Sequence, residues 1–222
     1  MGKLIVFEGT DGSGKSTQFK LLCQRLEEEG KTFRRLVFPR YDKPSATLLK
    51  MYLQGAFGSQ PGDVNAYAAS TFYAVDRFAS WKEDWQEGYE DGGLFLADRY
   101  TTSNAVHQAS KMAAGERESF FGWLGDFEYG KLGLPQPDLV IWLDMPIERA
   151  VENLRSREAA THTQADIHEL DTDYLHACHQ AAQAAAQFYG WRRIQCLDEA
   201  GNLRSIEDIQ REIWALVAPF VS

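Results

Sequence analysis

The feature that most constrains this chain is a glycine-rich loop at residues 9–16, which reads GTDGSGKS and matches the pattern G-x-x-x-x-G-K-[S/T]. An apolar strand candidate at residues 4–7 precedes the loop. Apolar residues at amphipathic helix spacing follow it, namely Phe19, Leu22, Cys23 and Leu26. In a strand–loop–helix unit, backbone N–H groups close around phosphate oxygens, and the helix N-terminus adds partial positive charge. The loop therefore predicts a site for the phosphates of a nucleoside triphosphate.

The residue types in this loop suit magnesium-dependent phosphate chemistry. Lys15 is expected to reach the β- and γ-phosphates, and the hydroxyl of Ser16 is expected to bind Mg²⁺. The residues predicted to hold the triphosphate are Gly9, Asp11, Gly12, Ser13, Gly14, Lys15, Ser16 and Thr17. A chance Gly-rich turn before a helix is the alternative, and the correct flanking elements disfavour it.

The length and charge of the chain exclude several function classes. A chain of 222 residues has the size of one domain, which we assign to residues 1–222. With 23 basic and 32 acidic residues, the net charge of −9 argues against nucleic acid as a partner. The apolar runs are too short to span a membrane. Three widely spaced cysteines and the absence of a secretory signal favour the cytoplasm.

Short apolar runs alternate with helical patterns along the whole chain. The runs lie at residues 4–7, 36–38, 94–97, 139–143 and 194–197. Continuous hydrophobicity over strand length indicates strands that are buried on both faces, as in a parallel sheet. The pattern predicts an α/β layered fold. Residues 158–169 carry little apolar periodicity, and we expect a surface loop or a mobile lid there (about residues 156–169).

A second group of polar residues follows the third predicted strand. Asp98 and Arg99 lie at its carboxyl end, where ligands gather in an open parallel sheet. Asp98 can orient an arginine or a metal-bound water, and Arg99 can bridge the donor and acceptor phosphates. Tyr73 and Arg77 are four residues apart in a predicted helix, so they share a face and can hold a nucleoside monophosphate. An ordinary ion pair and ordinary core packing are the alternatives.

Taken together, these segments resemble the thymidylate kinase family, nucleoside monophosphate kinases that phosphorylate dTMP to dTDP. The resemblance rests on residues 7–17, on Tyr73 to Arg77, on Asp98-Arg99-Tyr100 with Ser103 and Gln108, and on Pro137-Asp138. It implies a three-layer P-loop kinase fold with a five-stranded parallel sheet flanked by helices and a short lid. It also implies ATP and Mg²⁺ as the phosphoryl donor, dTMP as the acceptor, and a homodimer.

The resemblance implies a role for each matching residue. Tyr73 falls where an aromatic ring stacks on thymine, Gln108 lies near the base, and Arg77 and Arg99 grip the acceptor phosphate. Asp11 lies near the 3′-hydroxyl. The implied acceptor site comprises Asp11, Pro39, Tyr73, Arg77, Arg99, Tyr100, Ser103 and Gln108, and the implied metal ligands are Ser16 and Asp98.

Three positions depart from the family pattern. Gly12 replaces a loop arginine found in one branch of the family, and a lid arginine (Arg155 or Arg157) is expected to supply that charge. Arg40 stands one position early after the second strand, so we expect it not to make the usual phosphate contact. His107 stands where tyrosine is common. The implied catalytic residues are Lys15, Asp98, Arg99, Arg155 and Arg157.

Other functions stay open at this point. One is a P-loop kinase for another nucleoside monophosphate or for a deoxynucleoside; two arginines at the acceptor site favour an acceptor that already carries phosphate. Another is a nucleotide-binding regulatory protein that has lost phosphoryl transfer, which the intact Lys15, Ser16, Asp98 and Arg99 disfavour.

Overall fold

The computed structural model describes residues 1–58, 60, 62–161 and 172–221, and of residues 157–161 the helical backbone alone. Five parallel strands form one sheet in the order β2-β3-β1-β4-β5. The strands are β1 (Lys3–Glu8), β2 (Arg34–Val37), β3 (Leu94–Asp98), β4 (Leu139–Asp144) and β5 (Arg192–Gln195). Phe7 of β1 pairs with Asp98 of β3, so the two predicted phosphate-binding segments leave the sheet side by side.

Helices cover both faces of this sheet. Side chains of β1 alternate between two apolar clusters, with Leu4 and Val6 in one and Ile5 and Phe7 in the other. The described helices are α1 (Lys15–Glu28), α2 (Thr47–Leu53), α3 (Ala66–Ser80), α4 (Gln86–Glu90), α5 (Thr101–His107), α6 (Arg117–Gly125), α7 (Ile147–Thr161), α8 (Thr172–Tyr189) and α9 (Ile206–Val221). Helices α1 and α9 pack on the Ile5 face, and α5, α6 and α8 pack on the Leu4 face. The predicted α/β architecture with a five-stranded parallel sheet is confirmed.

The two edge strands differ from their sequence predictions. Strand β2 begins at Arg34 and β5 at Arg192, each two residues before its apolar run. Both strands lie at the edges of the sheet, where one side faces solvent and arginine side chains stay exposed. An apolar run therefore marks the three inner strands well and misses the polar first residues of the edge strands.

The predicted lid segment is partly helical. Helix α7 continues to Thr161, so its last turns occupy the beginning of that segment. Residues 162–169 of the predicted lid lie outside the described residues. Among the helices that the structure describes, none combines the length and the apolar character needed to cross a membrane.

Candidate active site

The glycine-rich loop connects β1 to α1 as predicted. Gly12 and Gly14 have φ angles of 82° and 83°, in the left-handed region that glycine adopts without steric cost. Helix α1 then begins at Lys15, and the side chains of Ser16 and Thr17 are exposed on its first turn. The backbone N–H groups of this turn have no partner within the helix and are oriented to bind an anion.

Gly12 also packs directly against helix α7. A Cβ atom at residue 12 would overlap the carbonyl oxygen of Ala150 and come within 3.0 Å of Leu154 Cγ. Asn153 of the same helix donates a 2.8 Å hydrogen bond to the carbonyl oxygen of Gly12. The loop is therefore docked on α7, and position 12 has no room for a side chain.

Lys15 and Asp98 join the loop to the end of β3. The Lys15 ammonium group donates to Oδ1 of Asp98 in an ion pair, and the lysine side chain is only 7% exposed. An ammonium group has three donors, so Lys15 can keep this contact and also bind phosphate oxygens. The predicted catalytic lysine and the predicted metal-binding carboxylate thus lie together.

Arg99 is held in an unusual conformation beside the loop. Its φ angle is 66°, the left-handed region that residues other than glycine rarely adopt. Arg99 Nη2 donates to Asp11 Oδ1 at 2.7 Å. Burial opposes the guanidinium charge, yet the carboxylates of Asp11, Glu8 and Asp98 outweigh it and raise the pKa of Arg99. Arg99 is a fixed cation next to the phosphate loop.

A cavity of about 370 Å³ opens beside Arg99. It is lined by α3, α5, the start of α8 and the segment after β2. All eight residues of the predicted acceptor site line it, namely Asp11, Pro39, Tyr73, Arg77, Arg99, Tyr100, Ser103 and Gln108. Burial raises the pKa of Tyr73, so its hydroxyl stays protonated. Segments spread over nearly a hundred residues of sequence therefore meet at one cavity.

Arg77 has a partner that the sequence did not indicate. Its Nε and Nη2 atoms donate to Glu128 at 2.6 and 2.5 Å, and Glu128 is fully buried in the π-helical stretch Asp126–Lys131. Nη1 contacts the Tyr100 carbonyl oxygen at 3.4 Å. Thr101 and Asn104 also donate to Glu128, at 3.0 and 3.1 Å. Arg77 therefore lines the cavity with two of its five N–H donors bound to a carboxylate and a third in contact with a backbone carbonyl oxygen.

Two other predicted acceptor residues also have partners within the protein. The Tyr100 hydroxyl donates to the Pro135 carbonyl oxygen at 3.1 Å, and its ring belongs to the core. Ser103 donates to the buried Glu8 carboxylate at 2.6 Å. Gln108 is 3% exposed, and its Oε1 atom has no hydrogen-bond partner within the described part of the chain. Among these three, Gln108 has the most capacity left for a ligand in the cavity.

Of the other arginines considered in the sequence, Arg40 and Arg155 do not line the cavity within the described part of the chain. Arg40 donates to Asp76 and Asp84, at 3.2 and 2.7 Å, so its guanidinium group is engaged within the protein. Arg155 is exposed on α7. The side chain of Arg157 lies outside the described residues.

Sequence reasoning did not select several residues that line the cavity. Asn104 and His107 come from α5, Lys111 from the short 3-10 turn Ala109–Lys111 that follows it, and Tyr52 and Tyr174 from α2 and α8. Helical spacing carries part of this signal, because His107 lies four residues after Ser103 and Asn104 lies four residues before Gln108. Tyr52 and Tyr174 had no comparable signal, since they join the site only through tertiary packing.

A phosphate loop and a separate acceptor cavity at one edge of the sheet are suited to bring two phosphate-bearing molecules together, as P-loop nucleotide kinases do. Comparison with known proteins agrees with this class. The family model described as thymidylate kinase matches residues 7–213, and the chain belongs to this family.

Individual relatives give the same result. The chain is 31% identical over 194 residues to the thymidylate kinase of Mycobacterium tuberculosis, covering 85% of this chain and 88% of the relative. It is 29% identical over 219 residues to a probable thymidylate kinase of Pyrococcus horikoshii, covering 97% and 96%. Among solved structures, the Candida albicans thymidylate kinase superposes with a TM-score of 0.70 at 20% identity, covering 98% of this chain and 92% of that one, which shows the shared fold. These matches give no support to the alternative functions.

Proposed function

We propose how this chain carries out the reaction of its family, the transfer of the γ-phosphoryl group of ATP to dTMP to give dTDP and ADP. The chain is an ATP-dependent phosphotransferase. One observation supports the assignment of roles most strongly: the eight predicted acceptor residues line a single cavity directly beside the phosphate loop. Dividing the site into a donor loop and an acceptor cavity accounts for both substrates.

The donor side is the loop with the first turn of α1. The loop amides and Lys15 bind the phosphates of ATP, with Gly9, Asp11, Gly12, Ser13, Gly14, Ser16 and Thr17 forming the rest of the binding surface. Ser16 and Asp98 supply oxygen ligands, which Mg²⁺ prefers. The exposed Ser16 hydroxyl and the Asp98 carboxylate, both beside the loop, fit this role. Mg²⁺ would neutralise charge on the phosphate oxygens.

The acceptor side is the cavity. Arg99 binds the phosphate of dTMP next to the loop, and Asp11 lies toward the sugar. Tyr73 stacks on the thymine ring, and Gln108 offers its amide to the base edge. Because Nε and Nη2 of Arg77 already donate to Glu128 and Nη1 contacts the Tyr100 carbonyl oxygen, Arg77 contributes to the acceptor phosphate only through its remaining N–H donors and what remains of its charge. Pro39, Tyr100 and Ser103 shape the walls.

The work of these residues is positioning and charge stabilisation. Phosphoryl transfer places the acceptor oxygen, the γ-phosphorus and the leaving oxygen in line, and negative charge spreads over the oxygens between them. Lys15 on the donor loop and Arg99 beside the acceptor cavity supply positive charge to these oxygens. Arg155 or Arg157 supplies further positive charge from α7, since Gly12 cannot.

We further propose that the chain acts as a homodimer in the cytoplasm. Helix α3 exposes an apolar stripe formed by Tyr67, Val75 and Phe78, at spacings of eight and three residues. Such a stripe on one helix face fits burial against a second copy. The three free cysteines, all buried, are typical of a protein from a reducing compartment.

The first experiment measures ADP release from Mg²⁺-ATP with each of dTMP, dUMP, dCMP, dGMP, dAMP and thymidine. We expect the highest kcat/KM with dTMP and loss of turnover in Lys15→Ala. Lys20→Ala, an exposed lysine on the same helix, is the matched control and should keep wild-type activity. Preference for another acceptor would contradict the base assignments, and ATP binding without acceptor-dependent ADP release would contradict the transfer function.

A further inference from the structure

His107 makes the second contact to the guanidinium group of Arg99. Arg99 Nη1 lies 2.9 Å from Nε2 of His107, while Arg99 Nη2 donates to Asp11. On the other side of the imidazole, Nδ1 lies 2.9 Å from the Tyr174 hydroxyl and 3.7 Å from the Cys178 sulfur. The ring thus connects the proposed phosphate-binding arginine on the loop after β3 to helix α8.

The chemistry of the two partners fixes the protonation of the imidazole. Arginine has no hydrogen-bond acceptor, so Nε2 of His107 must accept the bond from Arg99. The proton of a neutral imidazole then lies on Nδ1, which donates to the Tyr174 oxygen. Burial and the charge of Arg99 lower the pKa of His107 to about 3, so the ring is neutral at physiological pH.

A neutral hydrogen-bond acceptor at position 107 suits the surroundings of Arg99. Arg99 already faces the carboxylates of Asp11, Glu8 and Asp98, and a further carboxylate at position 107 would cancel more of the charge that an acceptor phosphate needs. A neutral Nε2 atom restrains the long arginine side chain and leaves its charge intact. The left-handed backbone at Arg99 indicates that the side chain direction is imposed by its surroundings.

We propose that His107 is a positioning residue, which accepts through Nε2 from Arg99 and so aims the guanidinium group at the acceptor phosphate. This inference rests on the phosphate-binding role proposed for Arg99.

Substitution of His107 by glutamine or by asparagine tests which of the two imidazole nitrogens is the functional atom. Glutamine at position 107 can place its oxygen near the Nε2 position, and asparagine can place its oxygen only near the Nδ1 position. We expect His107→Gln to keep most of the kcat/KM for dTMP. We expect His107→Asn and His107→Phe to lose about tenfold or more, the usual size for a lost hydrogen bond to a charged group. The KM for ATP should stay unchanged in all three variants.

The alternative is that His107 only holds α8 in place through Tyr174. In that case His107→Asn would retain activity better than His107→Gln, and the proposal would be overturned. A double-mutant cycle adds an independent readout: because His107 acts through Arg99, His107→Phe should cost little further activity in an Arg99→Ala background. Full additivity of the two losses would also contradict the proposal.

Different results contradict the role of Arg99 and the positioning role of His107. If Arg99→Ala leaves the kinetics for dTMP unchanged, the role of Arg99 is wrong. If Arg99→Ala is defective and His107→Phe is normal, only the positioning role is wrong. Imidazole ¹⁵N chemical shifts of the whole chain test the geometry without activity: we expect a neutral ring protonated at Nδ1 from about pH 6 to 8. A ring protonated at Nε2 would contradict the proposed contact.

Discussion

At the scale of single residues, Lys111 shows how burial changes the chemistry of a side chain in the acceptor cavity. Its ammonium group donates to the Tyr52 hydroxyl at 2.6 Å and lies 5.1 Å from the centre of that ring. Burial lowers the pKa of Lys111 to about 8, and Cys178 is the other titratable group that influences it. Burial raises the pKa of Tyr52, so that hydroxyl stays protonated. Lys111 is therefore a cavity cation that loses its charge in mildly alkaline solution.

We predict that kcat/KM for dTMP decreases as the pH rises through about 8. Lys111 is charged below its pKa and attracts the anionic acceptor, and above that pKa the attraction is lost. The expected decrease is about threefold, the size of a partly screened charge interaction. Lys111→Arg keeps its charge throughout this range and should remove the decrease. Persistence of the same decrease in Lys111→Arg would refute the assignment.

Sequence reasoning selected site residues where chemistry and chain position coincide, and their roles remain predictions. The loop lysine, the Asp98-Arg99 pair and the Tyr73-Arg77 pair were identified because each lies in a short motif at a predictable edge or face. The Glu128 partner of Arg77 is 51 residues away and carries no motif. Only the packing of α3, α5 and the stretch Asp126–Lys131 brings the two charges together. The spacing of Arg77 and Glu128 along the chain does not indicate this pair.

At the scale of elements, the Arg77–Glu128 pair joins α3 to the stretch that follows α6. Glu128 accepts from Arg77, Thr101 and Asn104, so three segments meet on one buried carboxylate. Buried charges of this kind are costly to leave unpaired. The pair is therefore a structural support for the cavity wall.

We predict that Glu128→Gln lowers the free energy of unfolding by about 3–5 kcal/mol, because it leaves the Arg77 charge buried without its counter-charge. Urea denaturation monitored by circular dichroism measures this change. Glu118→Gln makes the same chemical change at an exposed site on α6 and should leave stability nearly unaltered. The double variant Arg77→Met/Glu128→Leu should recover part of the loss, and equal stability of Glu128→Gln and Glu118→Gln would contradict the prediction.

The elements themselves were predictable to different degrees. The three inner strands were located by hydrophobicity alone, since both of their faces are buried. The predicted starts of the edge strands β2 and β5 were two residues too late. Both strands begin with an exposed arginine, Arg34 or Arg192, and a charged residue in the sequence does not indicate a buried strand. The helical end of α7 within the predicted lid was missed, since its residues lack a clear apolar stripe.

At the scale of the whole molecule, the exposed apolar stripe on α3 is the surface on which we expect two copies of the chain to associate. Val75 is 50% exposed and Phe78 is 37% exposed, on the helix that also carries the cavity residues Tyr73 and Arg77. An interface on this helix would place one wall of each active site beside the partner subunit.

We predict that Val75→Glu/Phe78→Glu converts a dimer into a monomer, since it buries two charges at the proposed interface. Analytical ultracentrifugation of wild type and variant at micromolar concentrations measures the change. Phe188→Glu introduces one negative charge at a 45% exposed aromatic residue on α8 and should leave the dimer intact. A wild-type chain that sediments as a monomer would contradict the homodimer proposal.

The contact between Gly12 and α7 also has a consequence for how such sequences can diverge. The carbonyl oxygen of Ala150 and the side chain of Leu154 occupy the space that any side chain at residue 12 needs. An arginine could enter the loop only after α7 had shifted away, which would also break the bond from Asn153. A side chain at residue 12 and the present position of α7 therefore exclude each other, so residue 12 and the helix surface facing it would have to be exchanged together in engineering.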